Sequence, residues 1–377
     1  MQRAYIGTRK GLFELAIDGG HGRVDGHHFP GDPVSMLLAD PRDGALYAAL
    51  SLGHFGAKLH RRNGGEAGWT EIAAPAYPPK PDDSADPVAW NVRMIWSLAA
   101  GGADQPGVLW AGTLPGGLFH SADRGASWRL VESLWRAPQR AQWFGGGYDV
   151  PGIHSICVDP RDGDKLLLGV SCGGVWQSAD GGASWRLSAT GMRADYMPPE
   201  QDENEAVQDP HRIVRCAGAP DLLWCQHHNG IWRSRDAGSH WEEIKPAGLS
   251  NFGFAVAVHP RDGDTAWFVP AQSDQLRIPA EAALAVGRTT DGGRGFTALR
   301  QGLPQEHCYD VVYRHGLAVA DDGRTLLMGS TTGGLWLSID GGEQWRTVST
   351  NLPPIYSVCF AGEPIGADGS ESGWRPK

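Results

Sequence analysis

Ser121-Ala122-Asp123-Arg124-Gly125-Ala126-Ser127-Trp128 organises the chain, because the same phrase keeps returning. It recurs as Ser178-Ala179-Asp180-Gly181-Gly182-Ala183-Ser184-Trp185, as Ser234-Arg235-Asp236-Ala237-Gly238-Ser239-His240-Trp241 and as Ser338-Ile339-Asp340-Gly341-Gly342-Glu343-Gln344-Trp345. A weaker copy is Thr289-Thr290-Asp291-Gly292-Gly293-Arg294-Gly295-Phe296. Successive aspartates stand 57, 56, 55 and 49 residues apart. Two worn copies extend the series backwards: Asn63-Gly64-Gly65 leads to Trp69 with one extra residue, and Asp18-Gly19-Gly20 holds the matching place near the start. Spaced self-similarity of this kind marks a repeat architecture. The phrase itself spells a tight hairpin. Asp and Ser side chains bond nearby amides, Gly supplies a positive φ, and the aromatic ring packs between neighbouring sheets.

A second phrase keeps the same period. Asp40-Pro41-Arg42-Asp43-Gly44, Asp159-Pro160-Arg161-Asp162-Gly163 and His259-Pro260-Arg261-Asp262-Gly263 each precede a short apolar run. Each unit therefore reads as four strands joined by three turns, which is a propeller blade. The prediction is an all-β, seven-bladed β-propeller of four-stranded antiparallel blades, one domain over 1–377. The chain opens on the second and third strands of a blade, Tyr5–Thr8 and Gly11–Leu15. The missing inner strand is supplied from the far end by Ile355-Tyr356-Ser357-Val358-Cys359-Phe360, so blade 1 combines 1–30 with 354–361. That closure removes two sheet edges.

The recurring phrase resembles the Asp-box, or bacterial neuraminidase repeat, of sialidases, sortilin-type receptors and photosystem II assembly-factor relatives. The resemblance covers nearly the whole chain and implies the propeller fold. It implies little about activity, because the same box sits in enzymes and in scaffolds. Each box is expected to hold its blade together and to do no chemistry.

Composition narrows the classes. Hydrophobic residues are 41% of the 377, charged residues 20%, and glycines number 53, a globular and turn-rich balance. A net charge of -10 argues against a nucleic-acid partner, which would need a basic face. The six cysteines show no metal-ligand spacing and read as buried free thiols. No signal peptide and no long apolar run is visible, so no membrane partner and a cytoplasmic location are expected.

Antiparallel strands sort the turns onto two faces. The long insertions, near 74–91, 132–152, 188–210 and 271–283, gather on the face opposite the repeated turns. Long loops on a rigid scaffold are where function concentrates. The first residues of the inner strands should ring the axis there: Ser35, Trp96, His154, His211, Phe254, His315 and Tyr356. A one-residue slip exchanges His211 for Arg212, brings Arg93 nearer than Trp96, or replaces His315 with Arg314 or Tyr309. Turns on the same face add Arg9, His54 and the run Gln226-His227-His228-Asn229.

Three readings stay open. The first is a sialidase-like propeller with a His/Arg/Tyr-lined pocket for a small anionic or carbohydrate ligand, extending to glycoside hydrolysis. In it Arg9, Arg93, Arg212, His227, His228, Asn229 and His315 bind the ligand. His154 and His211 act as acid and base, Tyr356 as nucleophile, and Glu200 as an acid on the 188–210 loop. True sialidase activity is not expected, since the early Arg-Ile-Pro motif of that family is absent. The one match, Arg277-Ile278-Pro279, falls in the blade 6 insertion and reads as coincidence. The second reading is a non-catalytic scaffold resembling the assembly factors, with a protein partner on a shallow face. The third is a metal-dependent hydrolase or lyase, in which at least three His nitrogens meet on a divalent metal. No residue spacing singles out a metal site or any other cofactor.

Overall fold

The computed structural model describes residues 1–84, 86–246 and 248–362. The stretch 363–377 of the expected domain lies outside them. Seven four-stranded antiparallel sheets form a ring, with almost no helix. Blade 1 runs Ile355–Phe360, Gln2–Thr8, Gly11–Asp18 and His21–His28 from hub to rim. Blades 2 to 7 begin at the hub with Val34–Ala39, Met94–Ala100, Ile153–Asp159, Pro210–Arg215, Gly253–Val258 and Leu317–Val319. The closing strand pairs with the first in register Ala4↔Phe360 through Gly7↔Ser357. No helix among the described residues is long and apolar enough to cross a membrane.

The repeated turns fold as their residue types require. Asp123 Oδ1 accepts from the Ser127 amide at 2.9 Å, Oδ2 accepts from Ser127 Oγ at 2.6 Å, and the Gly125 amide donates to Ser121 Oγ at 2.9 Å. The amide bonds recur at Asp180, Asp236, Asp291 and Asp340. The glycine two residues beyond the aspartate has φ of 81° at Gly125 and 95° at Gly238, where a side chain would be strained.

The second phrase is a latch between blades. Arg42 bonds both carboxylate oxygens of Asp40 and reaches the Gln105 and Val108 carbonyls of blade 3. Arg161 pairs with Asp159 and crosses to Asp221 of blade 5. Arg261 crosses to the Asp321 and Asp322 carbonyls of blade 7. There His259 replaces the aspartate, and its Nδ1 faces the Arg261 and Asp262 amides.

The hub carries a feature that alternation alone does not foretell. Six inner strands break register near their start: at Val34/Met36, Ile95/Ser97, Ile153/Ser155, Pro210/Arg212 and Gly253/Val256, and at Tyr356, which is skipped between Ile355 and Ser357. The residues skipped include Ser35, Trp96, His154, His211, Phe254 and Tyr356. A bulge leaves its extra residue free of the ladder and re-aims its side chain. Each break thus frees a side chain from the strict two-residue alternation, and at Gly253/Val256 two residues are skipped. Serines at or beside the bulges tie blade to blade: Ser35 Oγ donates to the Ile95 carbonyl, Ser97 Oγ to that of Ile153, and Ser155 Oγ accepts from the Ile213 amide.

Candidate functional site

A cavity of about 670 Å³ opens at the hub on the face opposite the repeated turns. Its walls include Ser35, Trp96, Phe254, His315 and Tyr356, five of the seven residues expected to ring the axis. The insertions supply the rest of the wall. Tyr148 from 132–152 meets the Trp96 ring edge-on at 5.2 Å, and Arg277 from the blade 6 loop lies over Phe254. Insertions 132–152 and 188–210 also clasp each other, Asn204 donating to the Gln142 amide oxygen at 2.9 Å.

Three arginines border the cavity: Arg93, Arg277 and Arg314. Arg93 is exposed at the mouth and paired with Asp149 at 2.8 Å. Arg314 is different. It is only 8% exposed, its guanidinium lies 4.8 Å over Trp96 and 5.4 Å from the Phe254 ring centre, and its buried Nε has no hydrogen-bond partner. Burial pulls its pKa down and the nearby Asp209 carboxylate opposes that. An arginine keeps its charge in such a setting, so a buried, under-bonded cation faces the cavity. Among the described residues, no Asp or Glu lines this space.

The hub histidines are neutral and fixed. His154 is fully buried, with Nδ1 on Ser155 Oγ at 3.0 Å and Nε2 unpartnered. His315 Nε2 donates to the His154 carbonyl at 2.9 Å. Burial holds both imidazoles well below the ordinary histidine range. Burial also raises the Tyr148 and Tyr356 phenols above their usual value, which keeps both protonated near neutral pH.

A smaller cleft of about 170 Å³ adjoins the cavity and shares Gly147, Phe254, Arg277 and Arg314 with it. At its floor stand Asp209, His211 and His228, whose ligating atoms all lie within 4.8 Å of one another. Asp209 Oδ2 is 3.4 Å from His211 Nε2 and 3.5 Å from His228 Nδ1. The expected meeting of three His nitrogens does not form here, because His227 turns the other way. It is fully buried against the Asp209 and Asn229 amides, and burial lowers its pKa to about 3.

The remaining predicted residues are scattered. Arg212 points through the hub toward the other mouth of the channel, bonding the His154 carbonyl at 3.3 Å on its way. Arg9 is exposed beside Tyr356 and lines neither space. Glu200 is exposed on its loop, away from both spaces. Asn229 caps the Asp195 amide at 3.0 Å, outside the cavity. Asp209 and Arg277 are the residues sequence reasoning passed over. Asp209 was one of several acids closing the 188–210 insertion, and its signal was its place two residues before His211. Arg277 was visible in the Arg-Ile-Pro match.

No protein-family model matches the chain. A xyloglucanase of Paenibacillus sp is 24% identical over 313 residues, which are 72% of this chain and 28% of that protein. The chain thus spans less than a third of the length of that relative. The crystal structure of an ancestral GH74 enzyme superposes with a TM-score of 0.58 at 14% identity, over 88% of this chain and 38% of that one. YCF48 bound to D1 peptide superposes with a TM-score of 0.51 at 14% identity, over 84% and 82%. The chain shares with these proteins the fold of a β-propeller.

Proposed function

We propose that this chain is an Asp-box propeller, of sialidase-like and glycoside-hydrolase-like build, whose hub cavity receives a small sugar-like acid. The observation that carries the reading is Arg314: a buried guanidinium with unspent donors, at the junction of the two spaces. A carboxylate or phosphate on the ligand supplies the charge and the acceptors that Arg314 lacks, as bidentate pairing does elsewhere. Arg277 and Arg93 add positive potential around it. Trp96, Tyr148, Tyr313 and Tyr356 offer flat faces and hydroxyls for the remainder of a sugar-sized molecule. The 24% likeness to a xyloglucanase supports a carbohydrate character for that remainder. The volume of the cavity, about 670 Å³, suits a small molecule. Binding is the core of the reading, since the cavity lining holds no carboxylate pair of the kind most glycosidases use.

Calorimetric titration with gluconate, galacturonate and 6-phosphogluconate, against glucose and xylose, tests it. The acids bind and the neutral sugars do not. Arg314→Ala weakens the acids by about 10- to 150-fold, the equivalent of about 1.5–3 kcal/mol for hydrogen bonds to a charged group. Equal affinity for neutral sugars, or an unchanged Kd in folded Arg314→Ala, refutes the reading.

A further inference from the structure

We propose that Asp209, His211 and His228 bind one divalent transition-metal ion, with open coordination positions facing Arg314 and Arg277. Spacing is the first argument. A protonated imidazole bonding a carboxylate closes to about 2.7–2.9 Å. The separations here are 3.4 and 3.5 Å. Two ligand atoms each about 2.1 Å from one ion, at tetrahedral or octahedral angles, stand roughly 3.0–3.5 Å apart. The gap fits a shared ion better than a shared proton.

Orientation is the second argument. His211 Nδ1 lies 2.6 Å from the Gly253 carbonyl, so that nitrogen carries the hydrogen and donates it. Nε2 is then the atom with the free lone pair, and it points at Asp209 Oδ2. Two buried acceptors facing each other repel unless a cation stands between them. Asp209 Oδ1 is occupied, accepting from the Cys172 amide at 3.0 Å and Ser171 Oγ at 3.3 Å, which turns Oδ2 toward the histidines.

The surroundings are the third argument. Two of the three ligands have a hydrogen-bonded partner that fixes their aim, as metal sites require, and the third has a carboxylate close by. Gly253 holds His211, Ser171 and Cys172 hold Asp209, and Asp274 lies 3.7 Å from His228 Nε2. The His228 amide donates to the Asp209 carbonyl at 3.0 Å, clipping the two ligand-bearing segments together. Above the carboxylate, Gly146 leaves room that a side chain would fill. A Cβ there would come 2.6 Å from Cys172 Sγ and 3.5 Å from Asp209 Oδ2. The two imidazoles favour zinc, cobalt, nickel, copper or iron over magnesium or calcium. With three protein ligands and a cleft beyond them, the site keeps places for water or for an anionic group of a ligand. This inference goes beyond the anion-pocket reading and meets it at Arg314.

Full-length, untagged protein is stripped with EDTA, exchanged into chelator-free buffer, and titrated with Zn2+ by calorimetry and Co2+ by visible absorption. The expected result is one ion per chain, with cobalt d–d bands of a nitrogen–oxygen site. Asp209→Asn and His228→Ala weaken Zn2+ by at least about 100-fold, more than loss of an outer partner costs, and Asp274→Asn by about tenfold. Near-ultraviolet circular dichroism without metal checks that each variant folds. The partly exposed His228 provides the deciding variant, also as His228→Gln, if Asp209→Asn fails to fold. A wild-type chain that takes up no stoichiometric Zn2+ or Co2+ overturns the proposal, as does a folded His228 variant that binds as tightly. Titrating 6-phosphogluconate in EDTA, and Zn2+ into Arg314→Ala without any anion, keeps the failure of this proposal apart from failure of the anion pocket.

Discussion

The aspartate of the repeated turn shows how one side chain holds a hairpin and leaves a trace in pH dependence. The Ser127 hydroxyl and amide and the Ser121 hydroxyl all bond the Asp123 carboxylate, and they lower its pKa from 3.8 to about 2. Between those values the unfolded chain takes up the proton first, so a falling pH favours unfolding. The stability Asp123 contributes is complete above about 3.8 and is lost as pH falls through about 2. Asp123→Asn therefore lowers the melting temperature at pH 7, and the gap to wild type narrows between pH 4 and pH 2. Melting curves across that range check it, and a constant gap would rule it out. At this scale the turn residues were legible, because their roles are local and depend on nothing beyond four residues. Arg277, Arg314 and Asp209 could not be singled out in this way, because which blades bring them together is not written in any one stretch of sequence. Charge alone could not separate Arg314, which is buried over Trp96, from Arg9, which is exposed.

At the scale of the strand, the bulges decide which side chains reach the cavity. Strict alternation would send His211 and Arg212 to opposite faces of the sheet. With His211 outside the ladder, both reach the hub region, His211 at the cleft and Arg212 at the other mouth of the channel. The ambiguity between these residues in sequence was thus a real property of the strand. A period of two cannot display an extra residue, so the pattern located each strand but not its break. Ser155 is where the device can be tested. Its hydroxyl accepts from the buried Ile213 amide of the next blade at 3.0 Å and contacts His154 Nδ1 at 3.0 Å. Ser155→Ala leaves that amide without a partner and costs about 1–3 kcal/mol. Urea unfolding should show a lower midpoint with an unchanged slope. An unmoved midpoint would mean that the hydroxyl does not hold the bulge.

The ring as a whole was legible because its evidence is additive: five clear turns and two worn ones count to seven, and three latch phrases and a spare strand at the far end agree with that count. Closure is also where the molecule depends most on two distant segments. Ile355–Phe360 completes blade 1, and Ile355 and Val358 are buried against Leu335, Ile6 and their neighbours. The Val358 amide also bonds the His315 carbonyl at 2.8 Å, tying the strand to blade 7 and to the cavity wall. Burying two such side chains is worth about 3–6 kcal/mol, against a total stability of about 5–15 kcal/mol for a typical domain. Ending the chain after Asn351 removes that contribution and uncovers the edge of Gln2–Thr8 and the flank of blade 7. Exposed edges of this kind recruit other strands. The truncated chain should lose its single cooperative melting transition and elute as aggregates in size-exclusion chromatography. A synthetic peptide carrying Ile355–Phe360 should restore the monomer by adding back the missing strand. A truncated chain that stays monomeric and melts at the wild-type temperature would show that the other six blades hold the hub without the seventh being closed.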